Sequence, residues 1–151
     1  GVAAVGARRT TIAYNWYEVV NASVLSSMDW LRVNGLSGDK VVATAAPRGH
    51  NYGWWIEGYA RLPTYMASDP FLFFNVEERE QVAFAQRLLF GETTPDQMRA
   101  LANSEGVRFL FLDKSMLKRP IWDFVEAGFV SRYENDRIVV LEMMAAAPPV
   151  N

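Results

Sequence analysis

The chain has 151 residues, half of them hydrophobic, and 15 basic side chains against 17 acidic ones give it a formal net charge of −2. This size predicts one domain that buries roughly two thirds of the surface of its unfolded chain. The lack of cysteine excludes disulfides and thiolate-bound metals, and the balanced charge excludes the basic footprint of a nucleic-acid-binding protein, so we expect no nucleic acid partner.

The first predicted helix begins at Asn15, whose side chain can cap free backbone N–H groups while Glu18 reaches back toward it. Glycine tolerates the left-handed conformation of a helix end, so we expect this helix to stop at Asn34-Gly35. Its apolar side recurs at helical spacing, at Val20, Val24, Met28 and Leu31.

Residues 40–45 then predict a short apolar strand of the kind that is buried on both faces in a parallel sheet. The segment from Pro47 to Pro70 follows directly and gathers five aromatic residues, the only histidine, two arginines and two acids. Ligands of such sheets bind beyond the carboxyl ends of the strands. We therefore expect function in the loops after Ala45 and after Leu112.

The second half alternates clear start and stop signals. Asn75 opens a helix that Gly91 closes, and Thr94, Pro95 and Gln97 spell a capping box with proline at the first helical position. A strand over 107–112, a short helix from Pro120 to Gly128 and a hairpin around Asn135-Asp136 complete the order.

This order predicts an α/β fold over residues 15–144, with three layers and a mainly parallel, Rossmann-like sheet that ends in a C-terminal antiparallel hairpin. Residues 145–151 are predicted to be a disordered tail.

The aromatic segment admits two interpretations. Trp54 and Trp55, with Glu57 and Arg61, can form a platform for a carbohydrate or a lipid headgroup. On a helix, however, the two tryptophans point about 100° apart, so that one enters the core, while the two charges form an ordinary i,i+4 surface pair. We favour this packing interpretation.

Two further residues invite a catalytic interpretation. His50 is the only histidine, so a metal site would need carboxylates such as Glu57 and Asp69, and we expect neither a metal nor a cofactor. Asp113 follows the strongest strand, where it can serve catalysis or cap the next turn, and we favour capping. A free-standing enzyme with His50 as general base and Glu57 or Asp113 as its partner stays open as an alternative.

Several runs, taken in order, carry a family resemblance: Met28–Arg32, Val41–Ala43, Gly53–Arg61, Gly106–Lys114 and Tyr133–Ile138. Together they resemble the C-terminal region of multi-pass bacterial and archaeal membrane proteins related to GT-C glycosyltransferases, the dolichyl-phosphate-mannose and oligosaccharyltransferase-like group. In that group a WLRxN helix leads to a strand, a tryptophan-rich segment, a GVRYLVLDK-like strand and a YENDR hairpin. The match covers most of residues 25–143.

The resemblance implies an accessory domain on the extracytoplasmic (periplasmic) face of the membrane, in a parent protein that transfers sugar from a lipid-phosphate donor. Residues 1–14 would then be a remnant that follows a membrane span. The family's acidic catalytic motif lies in an earlier loop, so no catalytic residue is carried over to this chain. The implied partners are the membrane-embedded portion of the same polypeptide and a glycan or lipid-linked sugar.

The candidate binding residues are Arg48, His50, Trp54, Trp55, Glu57, Arg61 and Tyr65. A third alternative is a scaffold or oligomerisation module, in which the same aromatic side chains are buried against a partner.

Overall fold

The computed structural model describes residues 20–46, 51–69, 73 and 75–145. The described elements follow in chain order as α1 (Ala22–Asn34), β1 (Lys40–Thr44), α2 (Tyr52–Ala60), β2 (Thr64–Ala67), α3 (Val76–Phe90), α4 (Pro95–Ser104), β3 (Val107–Asp113), a 3₁₀ turn (Lys114–Met116), α5 (Ile121–Glu126), β4 (Phe129–Glu134) and β5 (Ile138–Met143). The predicted remnant 1–14, and the tail beyond Ala145, lie outside the described residues.

The described strands form a five-stranded sheet in the order β2-β1-β3-β5-β4. β1 pairs in parallel with both β2 and β3, so that Val42 lies opposite Tyr65 on one side and Leu110 on the other. β5 is antiparallel to β3 and to β4. The predicted C-terminal hairpin is confirmed, while the mainly parallel character applies only to the β2-β1-β3 side of a mixed sheet.

Side chains of β3 alternate between two apolar clusters because successive residues of a strand point to opposite faces of the sheet. Phe109 and Phe111 pack with buried residues of α1 and α2. Leu110 and Leu112 pack with buried residues of α3, α4 and α5. Helices therefore contribute to a separate core cluster on each face of the sheet.

The capping signals place most helix ends correctly. Thr94 and Gln97 form the predicted capping box of α4, and the Asn75 side chain accepts a hydrogen bond of 2.9 Å from the Glu77 N–H at the start of α3. The predicted helix start at Asn15 lies outside the described residues. Val20 and Asn21 are not helical, so α1 begins at Ala22, and the Asn21 side chain caps it by accepting from the Val24 N–H at 3.0 Å.

α1 ends at Gly35 as predicted, but for another physical reason. Gly35 has φ −78°, which is not the left-handed conformation expected from the sequence. A Cβ atom at this position would lie 2.6 Å from Cδ1 of Leu62, so close approach, and not backbone freedom, accounts for the glycine. Within the described part of the chain, no helix is both long enough and apolar enough to cross a bilayer.

Candidate functional site

The aromatic segment folds into α2 and the edge strand β2. The buried side of α2 is made by Tyr52, Gly53, Ile56 and Ala60, which recur at helical spacing. Trp54 and Trp55 flank that side and remain 65% and 51% exposed. The favoured interpretation, with one tryptophan in the core, is therefore wrong, because Tyr52 and Ile56 already fill the space beneath this helix.

Glu57 and Arg61 do not form the predicted i,i+4 pair. Oε1 of Glu57 instead accepts a hydrogen bond of 3.1 Å from the backbone N–H of Thr64, which joins α2 to the start of β2. Arg61 lies just past the helix end with φ 58°, and its N–H donates to the carbonyl of Ile56. Because α2 ends before Arg61, the side chain of Arg61 does not lie one helical turn from Glu57, as the predicted pair requires.

Trp54 and Glu57 line a small cavity of about 70 Å³ between α2, β2 and α3, which we call the Trp54 cavity. Glu78 and Gln81 of α3 contribute its polar wall, and Met66 lies on its apolar side. Of the predicted site residues, the structure thus brings Trp54 and Glu57 together with two residues that the sequence analysis missed. The only sequence signal for Glu78 and Gln81 is their helix, since nothing local indicates that α3 packs against the edge strand β2.

Tyr65 lies at a different place, since its neighbours Thr64 and Met66 point toward the Trp54 cavity and alternation turns Tyr65 away. Its ring meets Phe84 edge-on with 5.7 Å between centroids, and Nζ of Lys40 lies 4.5 Å from the ring centroid. This surface borders a second cavity of about 160 Å³. Tyr65 therefore does not share a site with the tryptophans.

Arg48 and His50 lie outside the described residues, so their predicted roles stay predictions. Within the described ranges, no group of histidine, aspartate and glutamate side chains is arranged to hold a metal ion.

Asp113, at the carboxyl end of β3, is fully buried and heavily hydrogen-bonded. Its Oδ2 accepts from the Tyr52 hydroxyl at 2.7 Å and from Nε of Arg137 at 3.0 Å. Its Oδ1 accepts from Oγ and N of Ser115 at 2.6 and 3.0 Å, while its own N–H donates to Oγ1 of Thr44 at 2.9 Å. The prediction that Asp113 caps the following turn is confirmed.

Electrostatics agree with a structural role for this carboxylate. Burial by itself raises the pKa of Asp113, but the hydrogen bonds from Ser115, Tyr52 and Arg137 outweigh it and hold that pKa below its usual value. Burial, and then the bond to Asp113, raise the pKa of Tyr52. An acid that is enclosed and fully bonded offers a base such as His50 no accessible partner.

A polar contact between α1 and α2 was also missed by the sequence analysis. The Tyr59 hydroxyl donates to Oδ1 of Asp29 at 2.6 Å, and Arg32 reaches the same oxygen at 3.1 Å. The guanidinium of Arg32 also lies 5.1 Å from the centre of the Tyr59 ring. The bond from Tyr59 is the main cause that lowers the pKa of Asp29. This cluster fixes α2, and with it the tryptophans, against α1.

These features define a mixed α/β globular domain with an exposed tryptophan pair on one helix. No family model and no curated protein matches the sequence. Among solved structures, the fold is similar to the C-terminal globular domain of an oligosaccharyltransferase (AfAglB-S2) from Archaeoglobus fulgidus. That comparison has a TM-score of 0.58 at 10% sequence identity and covers 83% of this chain and 99% of the archaeal one. At this identity the likeness shows the fold alone.

Proposed function

We propose that this chain is an accessory domain of a membrane-embedded glycosyltransferase-like protein. In this proposal the parent transfers sugar from a lipid-phosphate donor, and the domain lies on the extracytoplasmic face of the membrane. We interpret its architecture as a three-layer, Rossmann-like arrangement, with the two core clusters on opposite faces of the sheet in support. The domain itself carries out no chemistry, and its partners are the membrane-embedded portion of the same polypeptide and a glycan.

The fold likeness to an oligosaccharyltransferase domain is the observation that carries this proposal, because it spans 83% of the chain. The exposed face of α2 supplies the surface. Two neighbouring tryptophans exposed by more than half are uncommon on a surface without a partner, since aromatic residues are enriched where proteins bind other molecules. The Asp29–Tyr59 bond of 2.6 Å joins this helix to α1.

The proposal is tested in membranes that contain the full-length gene product, by measuring glycan transfer from a lipid-linked donor. Replacing both Trp54 and Trp55 by alanine should lower transfer by about tenfold, the effect of losing roughly 1.4 kcal/mol at a binding surface. A photoreactive residue at position 55 should crosslink to the membrane-embedded portion or to the glycan donor, and the adduct identifies which of them contacts this face.

Trp122 provides the matched control. It is 64% exposed, but it lies on α5, which packs on the opposite face of the sheet. Trp122→Ala should leave transfer unchanged. Wild-type transfer and assembly in the Trp54→Ala/Trp55→Ala variant would refute a role for the α2 face, and a gene product without membrane segments would refute the parent that we propose.

A further inference from the structure

We propose that the Trp54 cavity is a saccharide subsite, in which a pyranose ring stacks on Trp54 and its hydroxyl groups enter the cavity toward Glu57, Glu78 and Gln81. This inference deepens the proposed function by naming a ligand class for one part of the α2 face. It rests on the proposed function in one respect, namely that the ligand is a glycan.

The cavity combines the two kinds of group that bind sugars. Trp54 offers a wide apolar face, because it is 65% exposed although it lines the cavity. The C–H face of a pyranose is apolar and matches such a ring, whereas its hydroxyl groups need acceptors and donors at the edge. Carboxylates and an amide supply both, and hydrogen bonds to ionised acceptors are the stronger kind.

The polar wall is prepared for an incoming group. The backbone N–H of Thr64 donates a hydrogen bond of 3.1 Å to Oε1 of Glu57 and so fixes this carboxylate. Its second oxygen is left for a hydroxyl group of the ligand. Glu78 makes no hydrogen bond or ion pair with any side chain in the described part of the chain. The cavity of about 70 Å³ is small, so we place the ring outside it, on Trp54, with only hydroxyl groups entering.

The second cavity lacks this arrangement even though it also joins aromatic and acidic groups. There the ring of Tyr65 is already covered by the ammonium group of Lys40 at 4.5 Å, and the same ammonium binds Glu105 at 3.3 Å. The domain's own cation thus occupies the aromatic face that a ligand would need. In the Trp54 cavity no described cation takes that position.

The test uses the whole chain and three probes, namely chitobiose, mannobiose and lactose. Their binding is followed through the indole N–H resonances, which report each tryptophan separately. At least one disaccharide at millimolar concentration should shift the Trp54 signal and leave the Trp122 signal unmoved. Glu78→Gln keeps the shape of the wall but removes its charge, and it should weaken that binding by about tenfold, the effect of losing one charge-assisted hydrogen bond.

Glu126→Gln is the matched control, because Glu126 accepts a hydrogen bond of 2.7 Å from the exposed Trp122 but lines no part of the Trp54 cavity. This variant should bind the disaccharide as the unmodified chain does. Failure of all three disaccharides to bind, or equal weakening by Glu78→Gln and Glu126→Gln, overturns the inference.

Tetralysine provides a further probe. If it shifts Trp54 in a Glu78-dependent way while no disaccharide does, the cavity binds cations and the inference also fails. Failure of the membrane transfer assay together with disaccharide binding would instead reject the proposed function and leave the saccharide subsite standing.

Discussion

Replacing Gly53 by alanine should destabilise the domain although it places a better helix former inside a helix. A Cβ atom at this position would lie 2.1 Å from Sδ and 2.2 Å from Cγ of Met66 on the neighbouring strand β2. Contacts this short force Met66 out of its buried place, which costs about 1.5–3 kcal/mol of burial. The gain in helix propensity returns about 1 kcal/mol. We therefore expect the free energy of unfolding to fall by about 0.5–2 kcal/mol.

Gly58 is the matched control, since it lies in the same helix and a Cβ atom there meets no atom within 4 Å. Gly58→Ala should raise the free energy of unfolding by about 0.5–1 kcal/mol. Urea denaturation measures both variants. In a double-mutant cycle, Gly53→Ala should cost less when Met66 is also alanine. If Gly53→Ala stabilises the domain as Gly58→Ala does, the close packing of α2 on β2 is wrong.

Three further predictions concern the polar contacts. Tyr52→Phe should lower the free energy of unfolding by about 1–3 kcal/mol, because buried Asp113 loses one of its donors, and urea denaturation checks this. Since the pKa of Asp113 is lower in the folded chain than in the unfolded one, its ionised form stabilises the fold above the unfolded pKa, and this contribution should be lost below about pH 4. As the pH falls, the free energy of unfolding should decrease less for Asp113→Asn than for the unmodified chain. An equal dependence of this free energy on pH in both proteins would contradict the argument. Asn135→Ala should cost about 1–3 kcal/mol and raise amide exchange at the start of α1, because its amide donates to the Ser23 carbonyl at 2.8 Å.

The features that were predictable from the sequence depend on neighbours along the chain. The capping box of Thr94 and Gln97 lies within four residues, and the hairpin around Asn135 requires only turn-forming residues between two apolar runs. Each signal is decided by local hydrogen bonding, so no knowledge of the rest of the fold is needed. The start of α1 at Ala22 was not predicted, because Asn15 and Asn21 both offer a cap and the sequence does not rank them.

The candidate site depended instead on contacts between distant segments. A helical wheel places Trp54 and Trp55 on different sides of α2, but only the packing of Tyr52 and Ile56 decides that both tryptophans stay outside. β2 was missed because its four residues carry no clear alternation, and it becomes a strand by pairing with β1. Glu78 joins the Trp54 cavity only because α3 lies against β2.

Asp113 lies at the carboxyl edge of the sheet, but its hydrogen bonds give this carboxylate a structural role. The Tyr52 hydroxyl of α2 and the Arg137 guanidinium of the β4–β5 hairpin both donate to Oδ2 of Asp113, which lies at the end of β3. The acid that would serve a ligand in an open α/β sheet is therefore used to tie three elements together. Because Tyr52 begins α2, the same bond fixes the helix that carries Trp54 and Trp55. Weakening it through Tyr52→Phe should loosen the tryptophan face as well as the core, and a ligand bound there should restore part of the lost stability.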